Sequence, residues 1–434
     1  MALEDIVNVT VSNETTGVSQ QGFGIPLVLS PHVQFADLVR TYTQASQLLD
    51  DGFTVTSPEY LMISRLFGQD RKPDRVLLGK RNLRPTQRFA WTPTAANNAV
   101  YKLRVGNVVA TYTSDANATV TEIIAGMLAV FTPAAAELGL TFSDQTTYLR
   151  ILANSPGQFI AVENLSLARA SLKQDQADPG VVTDLAAVAL EDPSFFAVLN
   201  LFNSQAEIEA IAGWAETNKR LFIAQTSDND VHTNSTTDVM STQEALARQF
   251  TSIIFAEATD SFADAAWAGR GLPTQPGSET WNLKQLRGVM PTKLTAGQKA
   301  FIAAKSGNYF ELVAGRGITT EGKVSSGAFI DNVRGVEWFV ARLRERIFGT
   351  LSSVDKVPYD NRGAAVIQGD MLAQVSEGIG TGFIADSPEP VVTVPDVQTM
   401  QLADRQARYL TGAFIGFTTA GAIHRVRVNI RISV

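Results

Sequence analysis

Asp228, Asp230 and His232 come nearest to chemistry in this sequence, because two carboxylates and an imidazole in close succession could hold a metal ion or move a proton. They follow the run Arg220 to Thr226, which reads as a strand, so they would sit at the carboxyl end of a sheet where α/β proteins often bind ligands. The further ligands such a site needs are not evident, and a polar loop over 227–238 is the favoured reading. The second candidate, Gly317-Ile-Thr-Thr-Glu-Gly322-Lys323, has most of the spacing of a phosphate loop. Val324 stands where magnesium would need Ser or Thr, and Ser325, Ser326 and Gly327 make a poor helix start, so this reads as a glycine-rich turn. The other histidines, His32 and His424, have no evident catalytic partner. With 0 cysteines there are no disulfides, no thiolate chemistry and no cysteine-ligated metal. No catalytic, metal-binding or cofactor-binding residue is assigned; a metal-dependent enzyme built on Asp228, Asp230 and His232 is kept as an alternative.

The elements that would have to position such groups point elsewhere. From Ala422 to Val434 the apolar residues Val426, Val428, Ile430, Ile432 and Val434 alternate with Arg425, Arg427, Asn429, Arg431 and Ser433, which is the period of a strand. At about 3.3 Å per residue it would reach roughly 40 Å, about twice an ordinary strand. At the other end Val7, Val9 and Val11 alternate with Asn8, Thr10 and Ser12. A chain that begins and ends in isolated strands offers backbone donors and acceptors to another copy, so these positions are expected to exchange between subunits.

Composition limits the classes. The 434 residues exceed one hydrophobic core, so about two to four domains are expected. A net charge of −7 argues against a dedicated nucleic-acid binder. From Arg405 onward five arginines (405, 408, 425, 427, 431) stand without an acidic residue, +5 by count, which suits an acidic partner or a solvated strand. Glu4 and Asp5 lie where a signal peptide would be basic, and no apolar run is expected to reach the roughly 18 residues of a membrane span. Cytosolic synthesis without membrane insertion is the expectation.

In order, Ser12 to Gly24 reads as a flexible arm. Phe23 to Leu29 reads as a strand, 34–50 and 58–67 as helices, and Val76 to Leu78 as an internal strand. Residues 85–180 read as an inserted β-rich surface module. It would hold a hairpin across Gly106-Asn107, a helix opened by a Thr119/Glu122 capping box, and strands at 148–153 and 158–163. Helix and strand steps then alternate: helix 184–190, apolar run 195–202, helix 208–215, strand 220–226, helix 243–250, strand 252–255, helix 295–305 and strand 309–313. With residues 25–84, the segment 181–315 should therefore form a mostly parallel α/β core. Residues 316–434 read as a C-terminal α+β assembly domain. It has helices over 333–348 and 364–379, an extended link punctuated by Pro388, Pro390 and Pro395, and strands at 412–419 and 422–434 forming a hairpin or lying adjacent. The first of these helices presents Val336, Phe339, Val340, Leu343 and Ile347 on one side, either to a core or to a partner.

Several short runs, taken together, resemble one family. Asn308-Tyr309, Gly322, Gly327-Ala-Phe-Ile-Asp331 and Arg334-Gly-Val-Glu-Trp338, within 292–351, resemble the sheath subunits of contractile bacteriophage tails. Leu190-Glu-Asp-Pro-Ser-Phe-Phe196, Trp214-Ala-Glu-Thr-Asn218 and Ala224-Gln-Thr-Ser-Asp228 are similar to the same branch. The resemblance implies a virion structural protein, assembled in the host cytoplasm, that stacks as hexameric rings around a tail tube and contracts to drive the tube through the host envelope. It implies lending of terminal strands to neighbouring copies and contact with tail tube, baseplate and tail terminator proteins. It also implies that Arg425, Arg427 and Arg431 lie toward the tube, with no cofactor. A tube-like tail protein is the structural alternative, although tube subunits are shorter and chiefly β.

Overall fold

A computed structural model describes residues 20–32, 34–81, 87–155, 160, 162–166, 168–174 and 180–432. The expected N-terminal strand at Val7, Val9 and Val11 lies outside the described residues. By backbone contacts the chain divides into two compact units, one holding Trp338–Ala420 and the other Gly22–Glu337 with the C-terminal segment from Gly421.

The larger unit is built on the run β1 (Pro26–Ser30), β2 (Val39–Tyr42), α1 (Gln47–Asp50), α2 (Pro58–Phe67) and β3 (Val76–Lys80). An insertion follows: β4 (Arg88–Pro93), β5 (Val100–Val105), β6 (Val108–Thr113), α3 (Val120–Leu138), β7 (Leu140–Asp144), β8 (Leu149–Ala153), β9 (Val162–Asn164) and β10 (Ala170–Gln174). The core then resumes with α4 (Val181–Glu191), β11 (Ala197–Asn200), α5 (Gln205–Asn218), β12 (Leu221–Thr226), α6 (Val239–Ala245), β13 (Thr251–Phe255), α7 (Ala263–Gly271), α8 (Ala296–Ala304), β14 (Asn308–Val313) and β15 (Arg316–Thr319). The core strands form one eight-stranded sheet, ordered β15-β14-β13-β12-β11-β1-β3-β2. The six central strands pair parallel, and the two edge strands are antiparallel. β1, β11, β12 and β13 are buried at every residue, as expected where helices cover both faces of a parallel sheet. Leu27, Val198, Phe222 and Ile253 from the strands pack with Leu185, Ile208, Ile211 and Ala215 from α4 and α5 in one cluster. α2 and α7 cross closely at Gly269, where an added Cβ would lie 2.3 Å from the Leu66 carbonyl oxygen.

The insertion contains two small sheets, β10-β4-β8-β7 and β6-β5-β9, around its own core. Thr119 and Glu122 form the expected reciprocal cap of α3, which turns Ile123, Ile124, Met127 and Phe131 inward. Contrary to the expectation that no segment is apolar enough, α3 has the length and composition to cross a bilayer. Thr121, Glu122, Thr132 and Pro133 interrupt the apolar run and hide it from a search for continuity.

The smaller unit holds most of α9 (Ile330–Ser353), then α10 (Asn361–Gly380), β16 (Val391–Thr393), α11 (Leu402–Ala407) and β17 (Phe414–Gly416). Its centre is aromatic: Phe417 packs on Phe339 and Phe383 with ring centroids 4.9 and 5.7 Å apart, and Trp338 meets Phe383 edge-on.

Four expectations are corrected. Residues 34–50 are not one helix: the β-branched and aromatic run Val39-Arg-Thr-Tyr42 pairs with β3 and leaves only four residues for α1. Residues 316–337 belong with the α/β core, since β15 is the antiparallel edge of its sheet. The proline-punctuated link carries β16 at its centre. That strand takes β17 as its partner, and among the described residues 412–419 forms no strand pairing with 422–432. α6 begins earlier than expected because the Asp238 carboxylate accepts from the Met240 and Ser241 amides.

Candidate assembly interface

The C-terminal segment has the sequence of a buried strand and the surroundings of none. Residues 421–432 pair with no strand among the described residues. Val426, Val428, Ile430 and Ile432 are 73–84% exposed. Fully burying one such side chain is worth about 1.5–3 kcal/mol, so the four together forgo several kcal/mol in the isolated chain. Their unpaired backbone and alternate apolar side chains are what strand addition to another sheet uses. Arg427 and Arg431 are exposed and form no ion pair among the described residues. Arg425 differs: its guanidinium lies 2.9 Å from Glu321 of the same chain.

The smaller unit contains a ribbon of the kind that receives an added strand. β16 and β17 form a sheet of only two strands, with neither joined to a third among the described residues. Two-stranded ribbons are marginal alone and gain stability from a further strand. Val391 and Phe414 on this ribbon are more than half exposed, while α10 supports it through Gln368, whose amide donates to the Val392 carbonyl.

The chemical candidates resolve into structural parts. Asp228 caps a short 3₁₀ turn, accepting from the Asp230 amide at 3.0 Å, and burial pushes its carboxyl up to about 6. His232 is buried edge-on against Phe255, its ring nitrogens 3.3 Å from Asn229 and Gln298, and burial lowers its pKa. Lys305 binds the Asp230 carbonyl and the Asp238 carboxylate. Among the described residues no three acidic or histidine side chains could share a metal ion. In the phosphate-loop lookalike, Gly317 lies in β15 against the Phe310 ring, Lys323 pairs with Glu321 at 3.0 Å, and no helix begins until Ile330. A narrow polar cleft lies where β4 and β10 of the insertion meet the carboxyl ends of β11 and β12. It is lined by Asp228, Asn203, Gln225 and Asp264, and burial pushes the Asp264 carboxyl up to about 7. Neither Asp264 nor Asn203 stands out in the sequence.

Arg334 was legible only as part of a motif, yet it is a central tie of the larger unit. Its guanidinium is buried, paired with Glu279, and donates to the carbonyls of Phe23, Leu272 and Thr274. It thereby fixes the start of α9 to the loop after α7.

Residues 330–388 match the family model "E217 tail sheath protein gp31-like, C-terminal domain". No curated protein matches the sequence. Among solved structures, the helical sheath of the anti-feeding prophage in its contracted state aligns over 100% of this chain and 99% of its own, at 10% identity and a TM-score of 0.54. The sheath of an extracellular contractile injection system, also contracted, aligns over 98% and 96% at 8% identity and a TM-score of 0.51. A sheath tail protein from Desulfitobacterium hafniense aligns over 95% and 99% at 11% identity and a TM-score of 0.50. At such identities the likeness is one of fold, and it confirms the mixed α/β multidomain class. The chain thus has the fold of contractile sheath proteins, and its residues 330–388 match the C-terminal domain of a gp31-like tail sheath protein.

Proposed function

We propose that this chain is the structural subunit of a contractile tail sheath, forming stacked hexameric rings around a tail tube and shortening to drive that tube through an envelope. The observation that carries the proposal is the exposed, unpaired alternation at 426–432 on a chain with a full-length sheath fold. In this reading Val426, Val428, Ile430 and Ile432 complete the β16–β17 ribbon of a neighbouring copy. Val7, Val9 and Val11 do the same from the other terminus. Main-chain hydrogen bonds in the shared sheet persist while neighbouring copies move relative to one another, so rings stay linked through contraction. No nucleotide is required, because the energy is stored in the assembled extended state. Arg427 and Arg431 face the tube and meet acidic residues there; Arg425, already paired, is the weaker candidate. Baseplate and terminator proteins would close the two ends of the stack, and the tail of the virion is the site of action.

Negative-stain imaging of the purified chain tests this directly. The full chain should yield rings or tubes, and chains lacking residues 1–12 or 423–434 should remain soluble monomers. Normal tubes from either truncated chain would overturn the reading.

A further inference from the structure

The exposed segment is not loose from its first residue. Of residues 421–432, only His424 is partly buried. Its Nε2 lies 2.8 Å from the Thr280 hydroxyl, and its ring sits edge-on to Phe329 at 4.9 Å. The next residue, Arg425, reaches Glu321. Glu321 and Gly322 form a left-handed turn, with φ of +60° and +73°, and the Gly322 carbonyl accepts from the Ile330 amide at the first residue of α9. An added Cβ on Gly322 would lie 2.9 Å from the Asn282 amide nitrogen, so this turn is pressed against the 280–282 loop. Thr280, Phe329 and Glu321 therefore come from three separate stretches, all held against the start of α9.

We propose that His424, with Arg425 as a second tie, clamps the root of the C-terminal segment, so that the strand given to a neighbour begins at Val426 and leaves the subunit in a set direction. The physical reason is entropic. A strand tethered at a fixed point samples fewer positions before it docks, so less freedom is lost on docking, which raises the effective concentration of the strand at its acceptor. The pair Arg425–Glu321 alone contributes little, because Arg425 is 87% exposed and exposed ion pairs are weak. The partly buried imidazole, with one hydrogen bond and one ring contact, is the principal anchor. His424 and Arg425 are in this scheme positioning residues that touch no partner themselves. The clamp rests on the proposed strand exchange and adds to it where the exchanged part starts.

The test compares His424→Ala, His424→Gln, Arg425→Glu, Arg425→Lys and a chain ending at Arg425, each by thermal unfolding and by the critical concentration for assembly in sedimentation. Both His424→Ala and Arg425→Glu should unfold as the wild type does, because the segment lies outside every core. His424→Ala should raise the critical concentration about tenfold and Arg425→Glu about threefold. His424→Gln, which can keep the Thr280 bond, and Arg425→Lys, which keeps the charge, should lie close to wild type. The chain ending at Arg425 should not assemble. If that shortened chain fails to assemble while His424→Ala and Arg425→Glu match wild type, the clamp is wrong and strand exchange stands. If the shortened chain assembles normally, strand exchange itself falls.

Discussion

Arg334→Met is the most exacting test of how the larger unit is held together. The wild-type guanidinium is 1% exposed on its side chain, and its partner Glu279 is 4% exposed. Beyond that ion pair it donates to the carbonyl oxygens of Phe23, Leu272 and Thr274, which come from two stretches of chain far apart in sequence. Methionine fills much of the volume but leaves Glu279 buried without its ion-pair partner, with only the Trp281 indole N–H still donating to it. Removing one partner of a buried pair costs about 3–5 kcal/mol, mostly through the group left behind. Replacing both partners, Arg334→Met with Glu279→Leu, should recover most of that loss, whereas independent contributions would add. Burial already pushes the Glu279 carboxyl upward against the pull of Arg334, so in the single variant it should take up a proton more readily. The deficit should shrink as pH falls. Urea unfolding followed by tryptophan fluorescence suits the measurement, because Trp281 donates to Glu279 and contacts Trp267 edge-on. A loss below about 1 kcal/mol for Arg334→Met, or a double variant less stable than the single, would refute the account.

Reversing charge at Arg427 and Arg431 together should leave assembly of the chain intact and weaken co-sedimentation with tail tubes at least about tenfold, most clearly at low salt; unchanged tube docking would remove these residues from the tube-facing surface. Asp264 has a folded pKa of about 7 against an ordinary 3.8, so its stabilisation is complete below 3.8 and is lost as pH rises through 7. Asp264→Asn should therefore flatten stability between pH 4 and 7, a span worth roughly 3–4 kcal/mol, in thermal unfolding across pH. His32 has the opposite sign. Held neutral at about 4 by burial beside Phe35 and Phe53, it contributes stability above 6.5 that is lost as pH falls toward 4, and His32→Leu should remove that loss. Calorimetry with zinc or magnesium should give no heat attributable to Asp228, Asp230 or His232, and a signal abolished by Asp228→Asn would restore the metal reading.

Much of the fold was legible because its signals are local. α2 runs from Pro58 to Phe67 as expected, and the Thr119/Glu122 box marks the start of α3. The β5–β6 hairpin follows from strict alternation around Gly106. β2 was misread because its short run gains its state from β3, thirty-odd residues away, rather than from its own pattern. The pairing of β16 with β17 was hidden for the same reason. At the C-terminus the period was readable while the partner was not, since nothing among the described residues completes that strand. Arg334, Asp264 and the cleft beneath the insertion depend on residues brought together from distant segments, and spacing carries no trace of them.

The insertion leaves and rejoins the larger unit at nearly the same place. Arg81, just past β3, faces Asp184 in the first turn of α4 at 3.8 Å and Glu207 at 3.4 Å. No strand of the eight-stranded sheet lies between those two points, so cutting out residues 88–174 and splicing the ends with a few glycines removes nothing from the sheet order. The junction is thus a socket. Foreign domains whose termini lie close together can be grafted into it, placing one such domain at a defined point on each chain.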